Sequence, residues 1–301
     1  MTAVVPARTR LASAAAPLAR LYIRYSPWGW LKPALWRRVH WRPQDQIAST
    51  RFGAVFACHS LDLVQGYIYY FGVWEPNLTA FVIRRLKGLS GRTFVDVGAN
   101  VGYYSILAAQ QLSGGQVVAI EAFPSIYSKL RRNIGLNGIG CIRTIPMAAT
   151  EQDCELQMYH AGTSNEGATT ALPGIFSGVP VAVPGRPLSV LLTADEVASL
   201  RLLKIDVEGA ELDVVRGLAP ILSQCPADAE FVVEIAVDER ATVDEIFAIF
   251  SASGYHPYGL VNSYDAASYL TPPPVQRPRR LPGPPSASTD VVFSRLDAEC
   301  L

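Results

Sequence analysis

Hydrophobic and polar positions form alternating blocks from residue 93 onward. Short, nearly continuous apolar runs predict buried strands, and the longer amphipathic runs between them predict helices. The predicted strands are Thr93–Val97, Val117–Glu121, Ile142–Ile145, Leu202–Asp206, Phe231–Ile235, Tyr255–Leu260 and the terminal DVVFSRL. The predicted helices are Tyr103–Gln111, Ser125–Asn137, Glu211–Gly217 and Asp244–Ala252. This alternation indicates an α/β fold with a parallel sheet covered by helices on both faces.

Two segments interrupt the alternation. Residues 160–186 are rich in Gly, Thr and Pro, which predicts a long loop with a short strand. Residues 271–287 are dense in proline, which excludes a central strand or a helix interior. We therefore divide the chain into an N-terminal arm (1–50), an N-terminal extension near the substrate side (51–90) and a main domain (91–301). Both loop excursions of the main domain are candidate lids over a substrate, with a plain surface segment as the alternative.

The N-terminal arm combines basic and aromatic residues. No acidic residue precedes Asp45, and the arm contains four of the five tryptophans. Its basic residues are Arg8, Arg10, Arg20, Arg24, Lys32, Arg37, Arg38 and Arg42, and its tryptophans are Trp28, Trp30, Trp36 and Trp41. Two interpretations stay open. The arm is either a helical segment that packs its tryptophans on the main domain, or a peripheral contact with an anionic membrane face through residues 8–42.

Composition limits the class of protein. Of the 301 residues, 50% are hydrophobic and 17% are charged, which indicates a well-packed chain rather than a disordered one. The formal net charge of zero argues against a nucleic-acid partner. No apolar run reaches the ~18 residues of a membrane span. The five scattered cysteines lack any CxxC spacing, which predicts reduced thiols and a cytoplasmic location, with contact at the inner membrane face left open.

The first strand–turn–helix of the main domain, FVDVGANVGYYSILAA, is the first candidate site. It places Asp96, Gly98, Asn100 and Gly102 in the turn, at the carboxyl end of a strand where open α/β sheets bind ligands. Neither the dinucleotide fingerprint GxGxxG nor the phosphate loop GxxxxGK[ST] is present. The turn therefore favours a nucleoside with a small charged tail over a pyrophosphate ligand. Glu121 ends the next strand, where an acid accepts hydrogen bonds from ribose hydroxyls.

A second cluster of acids lies in LLKIDVEGAELDVVRG, residues 202–217. Asp206 ends a strand, Glu208 follows two residues later, and Glu234 ends the next strand. Carboxylates at such a rim bind an ammonium group, orient or deprotonate a hydroxyl, or hold a divalent cation. Asp206 is the favoured base, and His59 in FACHSLD is a further candidate. Participation of Mg²⁺ stays open, because no set of spaced ligands requires it.

Taken in order, five stretches resemble the FkbM family of S-adenosylmethionine-dependent methyltransferases. They are YYFGVWEPNLTAF, FVDVGANVGYYSILAA, VVAIEAFPS, NIGLNG and LLKIDVEGAELDVVRG, and the resemblance covers about residues 50–260 and the last strand. It implies a Rossmann-like methyltransferase fold whose mostly parallel seven-stranded sheet has an antiparallel last strand. It also implies S-adenosylmethionine on Asp96, Gly98, Asn100 and Gly102, with Glu121 on the ribose and the DVEG acids near the methionine part or the acceptor.

The resulting hypothesis is an O-methyltransferase that uses S-adenosylmethionine and acts on a hydroxyl of a sugar, a glycolipid or a polyketide-type metabolite. Two alternatives stay open. A nicotinamide-dependent oxidoreductase would share the fold and Glu121, although GxGxxG is missing. A non-catalytic module would bind the cofactor without turnover. The acceptor, its methylated position and the oligomeric state do not follow from the sequence.

Overall fold

The computed structural model describes residues 17–40, 45–160, 169–170, 180–237 and 240–301. They form two compact units, and each is built from separate stretches of the chain. The first unit contains the described residues up to Trp74 together with Ser263–Pro274. The second contains Glu75–Asn262 and Val275–Leu301. No helix among the described residues has both the length and the apolarity to cross a bilayer.

The first unit is a small helical assembly with one hairpin. Its helices are α1 (residues 17–25), α2 (Lys32–Val39), α3 (Leu63–Phe71) and α11 (Ala266–Leu270), and its antiparallel hairpin pairs β1 (Asp45–Ser49) with β2 (Val55–His59). Aromatic side chains hold the helices together. The Tyr269 ring of α11 lies 4.5 Å from the Tyr67 ring and 5.1 Å from the Phe71 ring of α3. The late segment is therefore part of this unit's core.

The second unit is organised around one large sheet. Its strands are β3 (Thr93–Val97), β4 (Gln116–Ile120), β5 (Ile142–Ile145), β10 (Leu200–Ile205), β11 (Glu230–Ile235), β12 (His256–Leu260), β13 (Arg279–Arg280) and β14 (Thr289–Ser294). The spatial order is β13-β12-β14-β11-β10-β3-β4-β5. Neighbours from β11 to β5 are parallel, whereas β14 is antiparallel to β11 and β12. The predicted mostly parallel sheet with an antiparallel last strand is confirmed, and the two-residue β13 adds a short edge strand.

The strand order places a switch point beside β3. The chain runs outward from β3 through β4 to β5, then returns to β10 on the other side of β3 and continues outward to β11. In such sheets the crevice at the carboxyl ends of the two central strands is the usual place for a ligand. The sequence-predicted acids of the β3 and β10 loops lie at this position.

Helices cover the sheet. They are α4 (Pro76–Leu86), α5 (Tyr103–Gln111), α6 (Pro124–Leu136), α7 (Leu188–Leu191), α8 (Ala194–Ala198), α9 (Glu211–Leu218) and α10 (Arg240–Ala252), with a 3-10 helix at Ala219–Gln224. Every residue of β3 is buried, as expected for a strand covered on both faces. The core includes the stacked rings of Phe250 and Phe293, whose centroids lie 4.1 Å apart.

A small second sheet lies between β5 and β10 in the sequence. It consists of β6 (Ala148–Ala149), β7 (Cys154–His160), β8 (Thr169–Thr170) and β9 (Val181–Arg186), in the order β6-β9-β7-β8. The sequence predicted one short strand in 160–186, and β9 occupies the end of that range. Residues 161–168 and 171–179 lie outside the described residues, so the predicted lid there stays a prediction. In the other excursion, 271–287, the regular element is β13.

Candidate functional site

The turn after β3 is held in a conformation that ordinary residues avoid. Gly98, Asn100 and Gly102 have φ values of 78°, 50° and 89°. Asn100 is stabilised locally, because its Oδ1 accepts a 2.7 Å hydrogen bond from the Val101 N–H. A Cβ at Gly98 would lie 1.8 Å from the Asp206 carbonyl oxygen. Glycine is therefore required at position 98, and the turn directly contacts the β10 loop.

Glu121 joins this turn to the end of β4. Its Oε2 accepts a 2.9 Å hydrogen bond from the Asn100 N–H, and its Oε1 accepts one of 2.9 Å from the Phe123 N–H. Burial raises the pKa of Glu121, the two N–H donors oppose the rise, and the pKa settles at about 7. Each carboxylate oxygen has a second lone pair and can accept a further bond from a hydroxyl.

Asp96 has a buried carboxyl oxygen with no donor. Its Oδ2 accepts a 2.5 Å hydrogen bond from Ser105 Oγ, whereas Oδ1 has no partner among the described residues. The side chain is almost fully buried, and this burial raises its pKa. Because buried polar atoms are nearly always paired, the unpaired Oδ1 is consistent with a donor supplied by a ligand.

At the end of β10, a buried lysine is paired with an acid. The Lys204 Nζ atom lies 2.7 Å from Asp206 Oδ2 and 5.1 Å from the centre of the Tyr104 ring. Burial alone would lower the pKa of Lys204, but the carboxyls of Asp206, Asp96 and Glu75 outweigh it and raise that pKa. Lys204 therefore keeps its charge inside the protein.

Asp206 and Glu234 share a proton. Their carboxyls are joined by a hydrogen bond. The negative charge of Asp206, followed by burial, raises the pKa of Glu234 to about 11. Burial would also raise the pKa of Asp206, but the Lys204 ammonium and the Glu234 hydrogen bond lower it below its usual value. At neutral pH, Asp206 is ionised and Glu234 donates the proton.

Four further residues of this network were missed by the sequence analysis. Buried Glu75 accepts a 2.6 Å hydrogen bond from the Tyr104 hydroxyl through its Oε2. Asp290 of β14 pairs in register with Glu234, and its Oδ2 accepts a 2.5 Å hydrogen bond from Asn262 Nδ2. Burial, followed by the charge of Glu75, raises the pKa of Asp290 well above its usual value. Two sequence features could have indicated them. Glu75 directly precedes Pro76, and Asp290 lies at the start of the apolar strand β14.

The β10 loop presents Glu208 at the rim. Glu208 is exposed and has a φ of 53°, although it is not a glycine. Partial desolvation, followed by the charges of Asp206 and Glu211, raises the pKa of Glu208 to about 7. Glu211 has a different role. Its Oε1 accepts hydrogen bonds of 3.2 Å from the Val207 N–H and 3.1 Å from the Gly209 N–H. Glu211 therefore shapes the loop that carries Glu208.

Backbone strain marks the same site independently. Among the described residues, the non-glycine residues with positive φ are Glu75, Asn100 and Glu208. All three belong to the network formed by the β3 turn, the β10 loop and the Lys204 surroundings. Strained backbone persists only where surrounding contacts fix it, and it concentrates at functional sites.

His59, the fourth predicted catalytic residue, belongs to the first unit. It lies in β2, and its Nδ1 is 2.9 Å from Asp45 Oδ1. The other predicted site residues belong to the second unit. The role of His59 as a base therefore stays a prediction. Within the described ranges, no group of three or more His, Cys, Asp or Glu side chains has the arrangement of a metal site.

The residues at the switch point fit S-adenosylmethionine. Glu121 has free acceptor capacity for ribose hydroxyls, Asp96 Oδ1 lacks a donor, and the acidic rim matches an ammonium group and a sulfonium. Nine-residue α5 begins at Tyr103, directly after the turn. These features bring together the predicted cofactor residues Asp96, Gly98, Asn100, Gly102 and Glu121 at one edge of the sheet.

Comparison with known proteins identifies one family. The model described as the methyltransferase FkbM domain matches residues 96–257, more than half of the chain. The match begins at Asp96 and includes Glu121, Asp206, Glu208 and Glu234.

Two curated proteins are similar over a shorter region. Methyltransferase 1 of Beauveria bassiana (strain ARSEF 2860) is 28% identical over 144 residues, which cover 41% of this chain and 57% of that protein. Methyltransferase sdnD of Sordaria araneosa is 27% identical over 153 residues, 41% of this chain and 59% of that protein. The chain thus spans under two thirds of the length of either relative.

One solved methyltransferase structure illustrates a distant resemblance. A precorrin-6y C5,15-methyltransferase from Geobacter metallireducens GS-15 is 11% identical, with a TM-score of 0.42 over 72% of this chain and 86% of that one. The fold assignment therefore rests on the strand order and directions of the large sheet.

Proposed function

The chain belongs to the methyltransferase FkbM family, and from this premise we propose that it transfers the methyl group of S-adenosylmethionine to a hydroxyl oxygen. We include in the proposal an acceptor of the sugar, glycolipid or polyketide type. The observation that carries it is the contact of two loops at the switch point. The β3 turn with Glu121 meets the β10 loop with Asp206 and Glu208, where Gly98 and the Asp206 carbonyl touch.

The β3 side of the site holds the cofactor in this proposal. Ionised Glu121 accepts hydrogen bonds from the ribose hydroxyls while the Asn100 and Phe123 amides keep its carboxylate in place. Asp96 Oδ1 accepts a donor from the cofactor's amino acid end. When bound, S-adenosylmethionine supplies a methyl carbon activated by its positively charged sulfur. The protein has only to align that carbon with the acceptor oxygen and to remove a proton.

The β10 side removes the proton. A general base works best when its pKa lies near the operating pH. Glu208 meets this condition with a pKa of about 7 at an exposed position. Asp206 is a weaker base, because Lys204 and Glu234 lower its pKa. In the proposed step, Glu208 takes the hydroxyl proton while the oxygen bonds to the methyl carbon and the carbon–sulfur bond breaks to leave a neutral thioether. Glu208 then releases that proton to solvent.

Asp206, Lys204 and Glu234 have a supporting part in this scheme. At neutral pH the Asp206 carboxylate carries the negative charge of this group, the Lys204 ammonium balances it, and Glu234 is protonated. The Asp206 charge raises the pKa of Glu208, and the Lys204 charge opposes that rise.

Calorimetry and a methyl-transfer assay test the proposal together. The protein is titrated with S-adenosylmethionine and, separately, with NADH. It is then incubated with labelled methyl donor and a panel of glycosides, glycolipids and polyketide alcohols. Binding of S-adenosylmethionine with label in one hydroxylated acceptor supports the proposal. Saturation by NADH without heat from S-adenosylmethionine would contradict it.

A matched pair of variants tests the base. Glu208→Gln is expected to lower kcat about 100- to 10,000-fold while the cofactor Kd stays within about twofold. Asp213→Asn is the control, because Asp213 is an exposed acid in the first turn of α9. It is expected to leave kcat unchanged. Full activity of Glu208→Gln would exclude Glu208 as the proton acceptor.

A further inference from the structure

Exposed apolar side chains concentrate at the beginning of the described chain. Leu18, Leu21, Tyr25, Trp28 and Trp30 are exposed by 70%, 52%, 65%, 66% and 75%. Single exposed apolar residues are ordinary, but five within thirteen positions are an unusual concentration, of the kind that marks an interaction site. All five belong to the first unit.

The orientation of α1 is fixed by its opposite face. Ala19 and Ile23 are buried, and Arg20 Nε donates a 2.7 Å hydrogen bond to the Tyr69 carbonyl oxygen. The Arg20 guanidinium also lies 4.3 Å from the centre of the Tyr69 ring. Leu18, Leu21 and Tyr25 follow the i, i+3, i+7 spacing of a single helical face. That apolar face therefore points outward because the other face is anchored to α3.

The tryptophans divide into two groups. Trp36 packs inward, with its ring 5.0 Å from those of both Tyr70 and Phe71. Trp28 and Trp30 are the exposed pair, and they lie in the short link between α1 and α2. This link is ordered by the Trp28 N–H, which donates a 3.2 Å hydrogen bond to Ser26 Oγ. Trp41 lies outside the described residues. Packing thus accounts for Trp36 and leaves the exposed pair without a structural explanation.

The charge of the same stretch is of one sign. Arg37 and Arg38 of α2 are exposed, and no acidic residue occurs before Asp45. Tryptophan and tyrosine are the side chains that favour a membrane–water interface, and clustered arginines are attracted to anionic lipid headgroups. Exposed apolar and aromatic residues that are followed closely along the chain by exposed arginines match such an interface.

We propose that this arm surface, formed by Leu18, Leu21, Tyr25, Trp28, Trp30, Arg37 and Arg38, docks the protein on a bilayer containing anionic lipids. The contact is peripheral. Aromatic and leucine side chains enter the headgroup region, and the arginines pair with lipid phosphates and carboxylates. This inference does not rest on the proposed methyl transfer, since docking is measurable without catalysis.

Vesicle flotation with the full chain tests the proposal. The protein is mixed with vesicles of phosphatidylcholine alone or of phosphatidylcholine with phosphatidylserine, at low and at high salt. We expect flotation with the anionic vesicles and more than about tenfold weaker partitioning with neutral ones or at high salt. Recovery of the wild-type protein in the soluble fraction with both vesicle types would overturn the proposal.

Two pairs of variants separate the apolar and the charged contributions. Trp28→Ser with Trp30→Ser, and Arg37→Gln with Arg38→Gln, are each expected to lower partitioning about tenfold or more. The control for the arginines is Arg131→Gln with Arg132→Gln, another adjacent exposed pair on a helix. It is expected to partition as the wild type does. Circular dichroism and thermal unfolding verify that each variant is folded.

The other occupant of such a patch would be a second copy of the chain. Analytical ultracentrifugation without lipid distinguishes the two. A dimer that Trp28→Ser with Trp30→Ser dissociates, in a protein that ignores anionic vesicles, would overturn the proposal. Equal loss of flotation in the Arg131 and Arg132 control would also overturn it, because the effect would then reflect net charge alone.

Discussion

Lys204 and Asp206 form a 2.7 Å ion pair at the carboxyl end of β10, and the Lys204 side chain is only 5% exposed there. Two other carboxyls, those of Glu75 and Asp96, act on the same ammonium. Because the Lys204 ammonium is shielded from water, the neighbouring carboxyls stabilise its charge. The ion pair is therefore a structural centre of the acidic rim as well as part of the proposed site.

Removing the ammonium is expected to destabilise the fold. Lys204→Met leaves several buried carboxyls without their cation, and we expect a loss of about 3–5 kcal/mol in the free energy of unfolding. Urea denaturation at neutral pH measures it. Lys87→Met, at an exposed lysine, is the control and should change stability by less than about 0.5 kcal/mol. A loss below about 1 kcal/mol for Lys204→Met would show that the carboxyls do not depend on this charge.

Glu234 is expected to tolerate an amide. Because its pKa of about 11 keeps it protonated, Glu234→Gln preserves a donor to Asp206 and should cost less than about 1 kcal/mol. Glu234→Ala removes that donor and should cost about 1–3 kcal/mol. Methyl transfer by Glu234→Gln should stay near that of the wild type. A large loss of kcat in the amide variant would instead make Glu234 a proton carrier.

Gly98 is expected to be irreplaceable for a steric reason. Gly98→Ala adds a methyl group 1.8 Å from the Asp206 carbonyl oxygen at a φ of 78°. Gly138→Ala is the matched control, since it has a φ of 61° and no heavy atom near its ideal Cβ. We expect the control to lose about 1 kcal/mol of stability from backbone strain alone. Gly98→Ala should lose more and should bind cofactor at least about tenfold more weakly. Equal behaviour of the two variants would contradict a close contact between the loops.

Cofactor binding is expected to strengthen as the pH rises through about 7. The pKa of Glu121 is raised to about 7, so its carboxyl is protonated below that pH and can accept two hydroxyl donors only above it. If only the ionised form binds, affinity for S-adenosylhomocysteine should rise about tenfold from about pH 6 to about pH 8. Calorimetry measures it.

Two variants assign this pH dependence. Glu121→Gln should bind weakly and without the rise. Glu208→Gln should keep the rise, although the Glu208 pKa is also about 7, because we place that residue on the acceptor. If the affinity of the wild-type protein for S-adenosylhomocysteine did not change with pH, the assignment of Glu121 to the ribose hydroxyls would be wrong.

The Tyr104 hydroxyl is expected to contribute more to the stability of the fold than the Tyr103 hydroxyl. Tyr104→Phe removes the donor to buried Glu75 and should cost about 2–3 kcal/mol. Tyr103→Phe removes a 3.0 Å bond between two hydroxyls, those of Tyr103 and Thr79, and should cost about 1 kcal/mol. Chemical denaturation of both variants provides the comparison. A larger loss of stability in Tyr103→Phe than in Tyr104→Phe would mean that buried Glu75 does not depend on the Tyr104 hydroxyl.

The sequence predicted the large sheet well because its signals are local. The apolar run of β3 and the glycines at 98 and 102 report burial and a sharp turn within a few residues. Glu121 could be placed near Asn100 because consecutive parallel strands end at the same edge. The order of signals along the chain was enough for these features.

The rest of the site depends on contacts that no local pattern encodes. Glu75 and Tyr104 are 29 positions apart, and Asn262 and Asp290 are 28 apart. Their burial as polar groups follows from the tertiary fold alone. In the small sheet, β9 contains Pro184 and Gly185, which are turn signals, yet Pro184 lies opposite Glu155 of β7. Tertiary pairing overrides the local preference there.

The late helix α11 sets a limit on how this protein can be dissected. Its Tyr269 packs on Tyr67 and Phe71, which come from a segment about 200 positions earlier. A fragment that starts at Glu75 would keep α11 but lose the rings that shelter it, and would expose Tyr269 and Leu270 to water. Shortening the chain to isolate a catalytic core would therefore produce a fragment that is prone to aggregate. Point substitutions are more informative than deletions for this protein.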